Sequence, residues 1–202
     1  MTTAMDLLMI TIDEAPDHPV EPERLALAIA AAELIDLLGA GAVDLDGERI
    51  VPGPGAVPGD RFLEQAAASF TRSEPFELVG DWLWRRDRAL ADAYTGTLEP
   101  SGLAVRRRPP GHPFRRREIT LTDSPGHRRA TELRQSAEPV LSALAEAVGM
   151  PGSGTRSSGA AVERPVSTVL SALRGVLEEW EARKRERIIA QAELDRAWER
   201  FE

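Results

Sequence analysis

Between Pro22 and Leu38 the chain reads PERLALAIAAAELIDLL, and apolar residues occupy almost every position of the implied helical wheel. Leu25, Ile29, Ala32 and Asp36 form one row, while Leu27, Leu34, Ile35 and Leu38 fill most of the remaining face. A helix apolar around so much of its girth belongs inside a protein. Pro22 suits the first turn, where its missing N–H has no partner to lose, and Gly39 and Gly41 supply the backbone freedom of a helix stop. Val43 and Leu45 then alternate with Asp44 up to Asp46-Gly47, a type I′ hairpin signal, and Ile50-Val51 returns. Pro52-Gly53-Pro54-Gly55 closes this helix–hairpin unit.

The same patterning predicts the other elements. DLLMITI, Asp6–Ile12, is an apolar run and is assigned as a short buried strand or the lead-in to one, with a loop over Asp13–Val20. Asp60 is an N-cap for a helix to Phe70 that puts Phe62, Leu63, Ala66 and Ala67 on one face. From about Glu74-Pro75, Phe76, Val79, Leu83, Leu90 and Tyr94 keep helical spacing to Leu98, and Pro100-Ser101-Gly102 stops that helix. Leu103–Arg108 and Arg117–Thr122 pair as a second hairpin across the proline-rich Pro109–Pro113. A single helix runs from Ser124 or Pro125 to about Val148.

Residues 150–160 are Gly/Ser-rich and predict a disordered linker, followed by a long helix over Arg164–Phe201. Leu170, Leu173, Leu177 and Trp180 make its stripe, which fades through Glu181–Arg187 and resumes at Ile188, Leu194, Trp198 and Phe201. This helix either packs back on the domain or self-associates with another chain, and the pattern leaves both open. The expected fold class is mainly α: a compact helical domain with two β-hairpins over residues 1–149, a linker over 150–160 and a C-terminal helical extension over 161–202. Deletion of Gly152–Glu202 is expected to leave the domain folded.

Composition narrows the chemistry. The chain has 202 residues, no cysteine and three histidines, His18, His112 and His127, which excludes thiol chemistry and leaves little for a metal or a triad. No run approaches the ~18 apolar residues of a membrane span, and Met1–Ile12 lacks a basic start and a cleavage site, so a cytoplasmic location is expected. Arginine replaces lysine almost throughout, Lys184 being the one exception, and with the abundant Ala and Gly this is the composition of a GC-rich bacterial coding sequence. The net charge of −8 argues against a general nucleic-acid binder. Between Arg85 and Arg134, however, 12 arginines face 6 acids, so that segment is +6 and the remainder −14.

The stretch ELIDLLGAGAVDLDGERIV, followed by Val57-Pro58-Gly59-Asp60-Arg61-Phe62-Leu63-Glu64-Gln65-Ala66, resembles the Golgi phosphoprotein 3 family. Those proteins carry an Ile-Glu-Leu helix, an Arg-Gly-Arg-like corner and a Pro-Thr-Gly-Asp-x-Leu-Leu-Asp-Glu-Ala segment. A second block, Asp81-Trp82-Leu83 through Leu98-Glu99-Pro100-Ser101-Gly102-Leu103, is similar to the family's Asn-Trp-Ile helix and Gly-Val-Leu turn. The resemblance covers about residues 5–145, and the terminal helix departs from it. It implies the family's fold and a non-enzymatic peripheral-membrane adaptor. Its ligand would be a phosphatidylinositol 4-phosphate-like or other anionic lipid headgroup, and cytosolic protein tails are a second class of partner. Of the family's four phosphate-holding positions, counting from Gly102 and Ile35, Arg88 keeps one. Ala91, Ala30 and about Glu21 stand at the others.

The candidate lipid-binding set is therefore Arg85, Arg86 and Arg88 beside Trp82 and Trp84, with Arg106, Arg107, Arg108, Arg115, Arg116 and Arg117 flanking the second hairpin. Planar guanidinium groups suit phosphate, and tryptophan suits a bilayer interface. Reversing Arg85, Arg86 and Arg88 to Glu is expected to abolish binding without lowering the melting temperature. The competing assignments are a protein-interaction module with no lipid ligand and a winged-helix DNA binder, though Ala28–Leu38 offers almost no polar residues to read bases. No catalytic residue, cofactor or metal site is expected. Asp123, Ser124 and His127 hold triad-type residues, but Ser124 fits a helix cap better. Glu132 with Asp123 and His127 fits a solvated cap better than a cation site.

Overall fold

Residues 22–39 form a helix with no polar face, and the rest of the chain encloses it. The computed structural model describes residues 1–86, 89–107, 118–152 and 163–198. In chain order the elements are α1 (Thr3–Glu14), α2 (Pro22–Gly39), β1 (Val43–Asp46), β2 (Arg49–Pro52), α3 (Arg61–Ser69), α4 (Val79–Arg86) and α5 (Leu90–Leu98). They continue with β3 (Ala104–Arg107), β4 (Glu118–Leu121), α6 (Pro125–Gln135), α7 (Pro139–Ala147) and α8 (Arg164–Trp198). The mainly helical fold with two antiparallel hairpins and a long terminal helix is thus as expected.

Twelve of the eighteen residues of α2 are buried, from Leu25 to Leu37. Helices α1, α3, α4, α5, α7 and α8 all pack on it, and α6 lies across α1 and α7. The C-terminal stop is a left-handed cap: Gly41 sits at φ 67°, its N–H bonds the Leu38 carbonyl at 2.9 Å and the Ala42 N–H bonds the Leu37 carbonyl at 3.0 Å. The first hairpin pairs Asp44 with Val51 and Leu45 with Ile50. Its two loop residues are Gly47 and Glu48, and only Gly47 has positive φ, the φ pattern of a II′ turn in place of the expected I′. Gly55 then donates to the Gly41 carbonyl at 2.7 Å, so close that an added Cβ would meet the Ala40 carbonyl at 2.2 Å. The Pro-Gly-Pro-Gly segment therefore clamps the hairpin to the end of α2.

Residues 6–12 are helical, correcting the expected strand. A continuous apolar run carries no period to separate the two conformations. Thr2 Oγ1 accepts the Met5 N–H at 3.3 Å, and Asp36 of α2 accepts from Thr3 N–H (2.8 Å) and Thr3 Oγ1 (2.6 Å). The acid that interrupts an apolar row of α2 thus caps a neighbouring helix. The helix expected from Glu74 to Leu98 begins at Val79 and is divided into α4 and α5, with Ala89 at φ 57° between them. The helix expected over 124–148 is also two helices. Pro139 disfavours helical backbone before it, α6 ends in a left-handed turn with Ala137 at φ 53°, and Glu138 caps α7 by accepting from Leu141 N–H at 2.7 Å.

The first half of α8 belongs to the same core. Val169, Leu170, Leu173, Val176, Leu177 and Trp180 are buried in one cluster with α2. Arg24 ties the site electrostatically, reaching Glu181 at 2.7 Å and the Ala147 carbonyl at 2.9 Å, and Lys184 meets Glu21 at 2.5 Å. Of the two options for this helix, packing back on the domain holds for the first half. Met150, expected in the linker, is buried, and Thr11 Oγ1 donates to its sulfur. Most of the linker, residues 153–162, lies outside the described residues. A chain cut before Glu163 is expected to lose its cooperative melt, and Leu173→Ala should cost about 2–5 kcal/mol in urea denaturation. Conversely, Ala137→Gly should stabilise by about 0.5–1 kcal/mol in the same assay, because a left-handed alanine carries Cβ strain that glycine lacks.

Candidate functional site

Of the two carboxylates within the apolar stretch of α2, Glu33 is fully buried. A lone charge there costs several kcal/mol unless it is paired and hydrogen-bonded. Arg86, in the last turn of α4, supplies the pairing with both prongs: Nε to Glu33 Oε2 at 2.9 Å and Nη2 to Oε1 at 3.0 Å. Tyr94 from α5 donates its hydroxyl to the same Oε1 at 3.0 Å. Phe62 of α3 stacks on the Tyr94 ring at 3.9 Å between centroids, and its carbonyl accepts from Arg86 Nη2 at 3.3 Å. Burial pushes the Glu33 carboxyl above the usual range, while Arg86 and Tyr94 pull against that shift. Tyr94 is held fully protonated by burial and the adjacent Glu33. This is a structural cluster, closed to solvent. Its signal in the sequence is an acid set inside a largely apolar helix.

The expected basic face is rearranged by pairing. Arg85 chelates Glu77 at 2.9 and 2.6 Å and donates to the Ser69 carbonyl. Arg86 is spent on Glu33. Arg106 meets Glu99 at 3.0 Å, Arg128 meets Asp123 at 2.6 Å, Arg129 meets Asp6 at 3.3 Å and Arg134 meets Glu14 at 2.8 Å. Every arginine between 85 and 134 whose side chain is described therefore has a carboxylate partner. Arg88, Arg108, Arg115, Arg116 and Arg117 lie outside the described residues, as does the side chain of Arg107.

Trp82 is not an interfacial anchor. It is fully buried, tilts against Phe70 at 4.8 Å and donates its ring N–H to Ser69 Oγ at 3.0 Å. Trp84 is half-buried, bonds Glu179 at 3.2 Å and lies under the Arg183 guanidinium at 4.6 Å. Asp123, Ser124 and His127 do not assemble as a triad. Ser124 Oγ caps α6 by accepting from His127 N–H at 3.1 Å, and the His127 ring meets Asp13 at 2.5 Å.

Residues 4–192 match the family model described as Golgi phosphoprotein 3 (GPP34). The chain belongs to the Golgi phosphoprotein 3 family. The match runs well past the expected limit near residue 145, so most of α8 lies within the family's span. A comparison with curated proteins gives no match. Ala30 and Ala91, expected from the sequence at two of the family's phosphate-holding positions, are both packed in the core.

Two measurements probe this charge network. Arg86→Met strands a buried carboxylate and is expected to cost about 3–5 kcal/mol in urea denaturation, whereas Glu33→Leu combined with Arg86→Met should recover most of that loss. The second concerns Asp6, which α1 buries against the core with Oδ1 unpartnered. Burial raises its carboxyl from 3.8 to about 6, against the pull of Arg129. The folded state then holds a proton that the unfolded state has released between these values. Its stabilising contribution is complete below pH 3.8 and is lost as pH rises to about 6. Asp6→Asn should therefore gain on the parent across that window by up to about 1.4 kcal/mol per pH unit.

Proposed function

We propose that this member of the family is a non-enzymatic adaptor that docks reversibly on anionic membrane through the connection between β3 and β4. The carrying observation is the distribution of charge. Residues 106–117, RRRPPGHPFRRR, hold six arginines and no acid. By number, the other six arginines of the 85–134 segment are matched by its six acids, so the +6 excess falls on residues 106–117, the end of β3 and the connection to β4. Ion pairing within the fold supports the same view, since the arginines of α4 and α6 that are described are neutralised in place.

Each basic residue near an anionic surface contributes on the order of 1 kcal/mol, decaying over a Debye length of about 8 Å at physiological salt. Several together suffice for reversible attachment even with Arg106 held by Glu99, and the −14 remainder favours an orientation with this stretch toward the membrane. Attachment of this kind is peripheral: no helix among the described residues is long and apolar enough to cross a bilayer. Because Ala30 and Ala91 leave two family phosphate positions without a cation, the recognition we propose is of surface charge, with a phosphatidylinositol 4-phosphate-like headgroup as one source of it.

A second function, a protein-interaction module without a lipid ligand, is favoured by an open groove of about 600 Å³ between α4 and α8, lined by Trp84, Trp180, Arg183, Glu186, Arg187 and Ala190.

Vesicle flotation distinguishes them. Phosphatidylcholine vesicles doped with phosphatidylserine or a phosphoinositide should capture the protein, salt should release it, and undoped vesicles should not bind. Replacing Arg106–Arg108 and Arg115–Arg117 with Ser should abolish capture. Arg85→Glu and Arg86→Glu are poor probes, contrary to the expectation from sequence, because each sets an acid against Glu77 or Glu33 and should lower the melting temperature. Equal capture by neutral and anionic vesicles, or none by either, would overturn the membrane role and leave the protein-interaction module.

A further inference from the structure

A helix of 35 residues is about 50 Å long, and only the first half of α8 covers the core. Past Lys184 the helix leaves the domain, and every residue from Arg185 to Gln191 is exposed. Two of these are isoleucines. Ile188 and Ile189 are each 59% exposed, the highest values among the large hydrophobic side chains described. They lie beyond the row Leu173, Val176, Leu177 and Trp180 that docks on α2, where no other part of the described core covers the helix. A projecting helix of this length is marginal in water by itself, because helical stability comes mostly from packing of an apolar face.

The exposed face has an order. Arg185, Ile188, Ala192 and Asp195 recur at intervals of three, four and three, with Ile189 beside them. Along the helix the face thus reads base, apolar, acid. Neither charge has an ion-pair partner among the described residues: Arg185 Nε donates to the Glu181 carbonyl at 3.3 Å, and Asp195 accepts from Gln191 at 2.8 Å, both on the same helix. A two-fold interface requires a surface complementary to itself, and a base–apolar–acid order meets that requirement only when the second helix runs the opposite way. A parallel pairing would set Arg185 against Arg185 and Asp195 against Asp195.

We propose that this half of α8 is a self-association surface, on which two copies of the chain pair antiparallel about an axis passing near Ala190. That register sets Arg185 opposite Asp195 of the partner subunit, and Ile188 opposite Ala192 of the partner subunit, each twice by symmetry. The apolar positions at i, i+3 and i+4 supply the contact, and the charges at its two ends fix direction. The seam is short, smaller than a standard stable interface, so the dimer is a weak one that forms in the micromolar range. It stands independently of membrane docking, which uses a different part of the chain.

Sedimentation equilibrium of the full chain, without vesicles, tests the inference. The weight-average mass should rise with concentration from one chain toward two. Ile188→Glu with Ile189→Glu should hold it at one chain, with an unchanged circular dichroism melt because both side chains are exposed. Arg185→Asp alone and Asp195→Arg alone should each weaken the dimer several-fold, and the double exchange should restore it, since the swapped charges again oppose. A monomer at all concentrations, a dimer indifferent to the isoleucine change, or a double exchange no better than the singles would each overturn the proposal.

Discussion

A helix with no polar face has to be enclosed, and enclosure of α2 dictates where six other helices lie. They come from both ends of the chain, so sequence-distant segments such as α1 and α8 are parts of one core. Enclosure also sets a condition on the acids that α2 carries. Glu33 is stable there only because Arg86, Tyr94 and Phe62 converge on it, and those three residues belong to α4, α5 and α3. Asp36 serves α1 in the same manner, holding its first turn through Thr3. Apolar burial supplies the driving force, while the two carboxylates specify which helix docks where.

This arrangement changes what an arginine-rich sequence means. Six of the arginines that appear to form a basic face are consumed by carboxylates within the fold, several of them bridging elements far apart in the chain, such as Arg134 with Glu14 and Arg86 with Glu33. Guanidinium groups are suited to that use because their fork matches a carboxylate and their charge is permanent. The docking proposed above rests on the arginines of residues 106–117, most of which lie outside the described residues. Under that proposal, function and stability draw largely on different arginines.

The sequence made α2 and the first hairpin legible, because an all-round apolar helix and an Asp-Gly turn are local signals. Asp60 and Ser124 were legible as caps for the same reason. Residues 6–12 were not, since a short continuous apolar run fits a strand as well as a buried helix. The breaks at Ala89 and Ala137 were hidden because alanine, the best helix former, occupies left-handed positions that usually fall to glycine. The stripe of α8 was visible, but its seat on α2 was not: Arg24 and Glu181 are 157 residues apart. Trp82 was misplaced as an interfacial residue because its spacing with Leu83 and Leu90 marks a buried face as readily as an amphipathic one. The Glu33–Arg86 pair escaped notice for want of any local pattern joining residues 53 apart.

Native-state hydrogen exchange addresses the central claim directly, that an enclosed α2 makes the domain one cooperative unit. The amides of Leu27–Leu37 should exchange only through global unfolding, with opening free energies equal to the stability from urea denaturation. The amides of Val169–Trp180 should share that limit, and those beyond Arg185 should exchange far faster in dilute protein. Exchange of the α2 amides through a smaller opening, at a free energy several kcal/mol below the global value, would contradict the account.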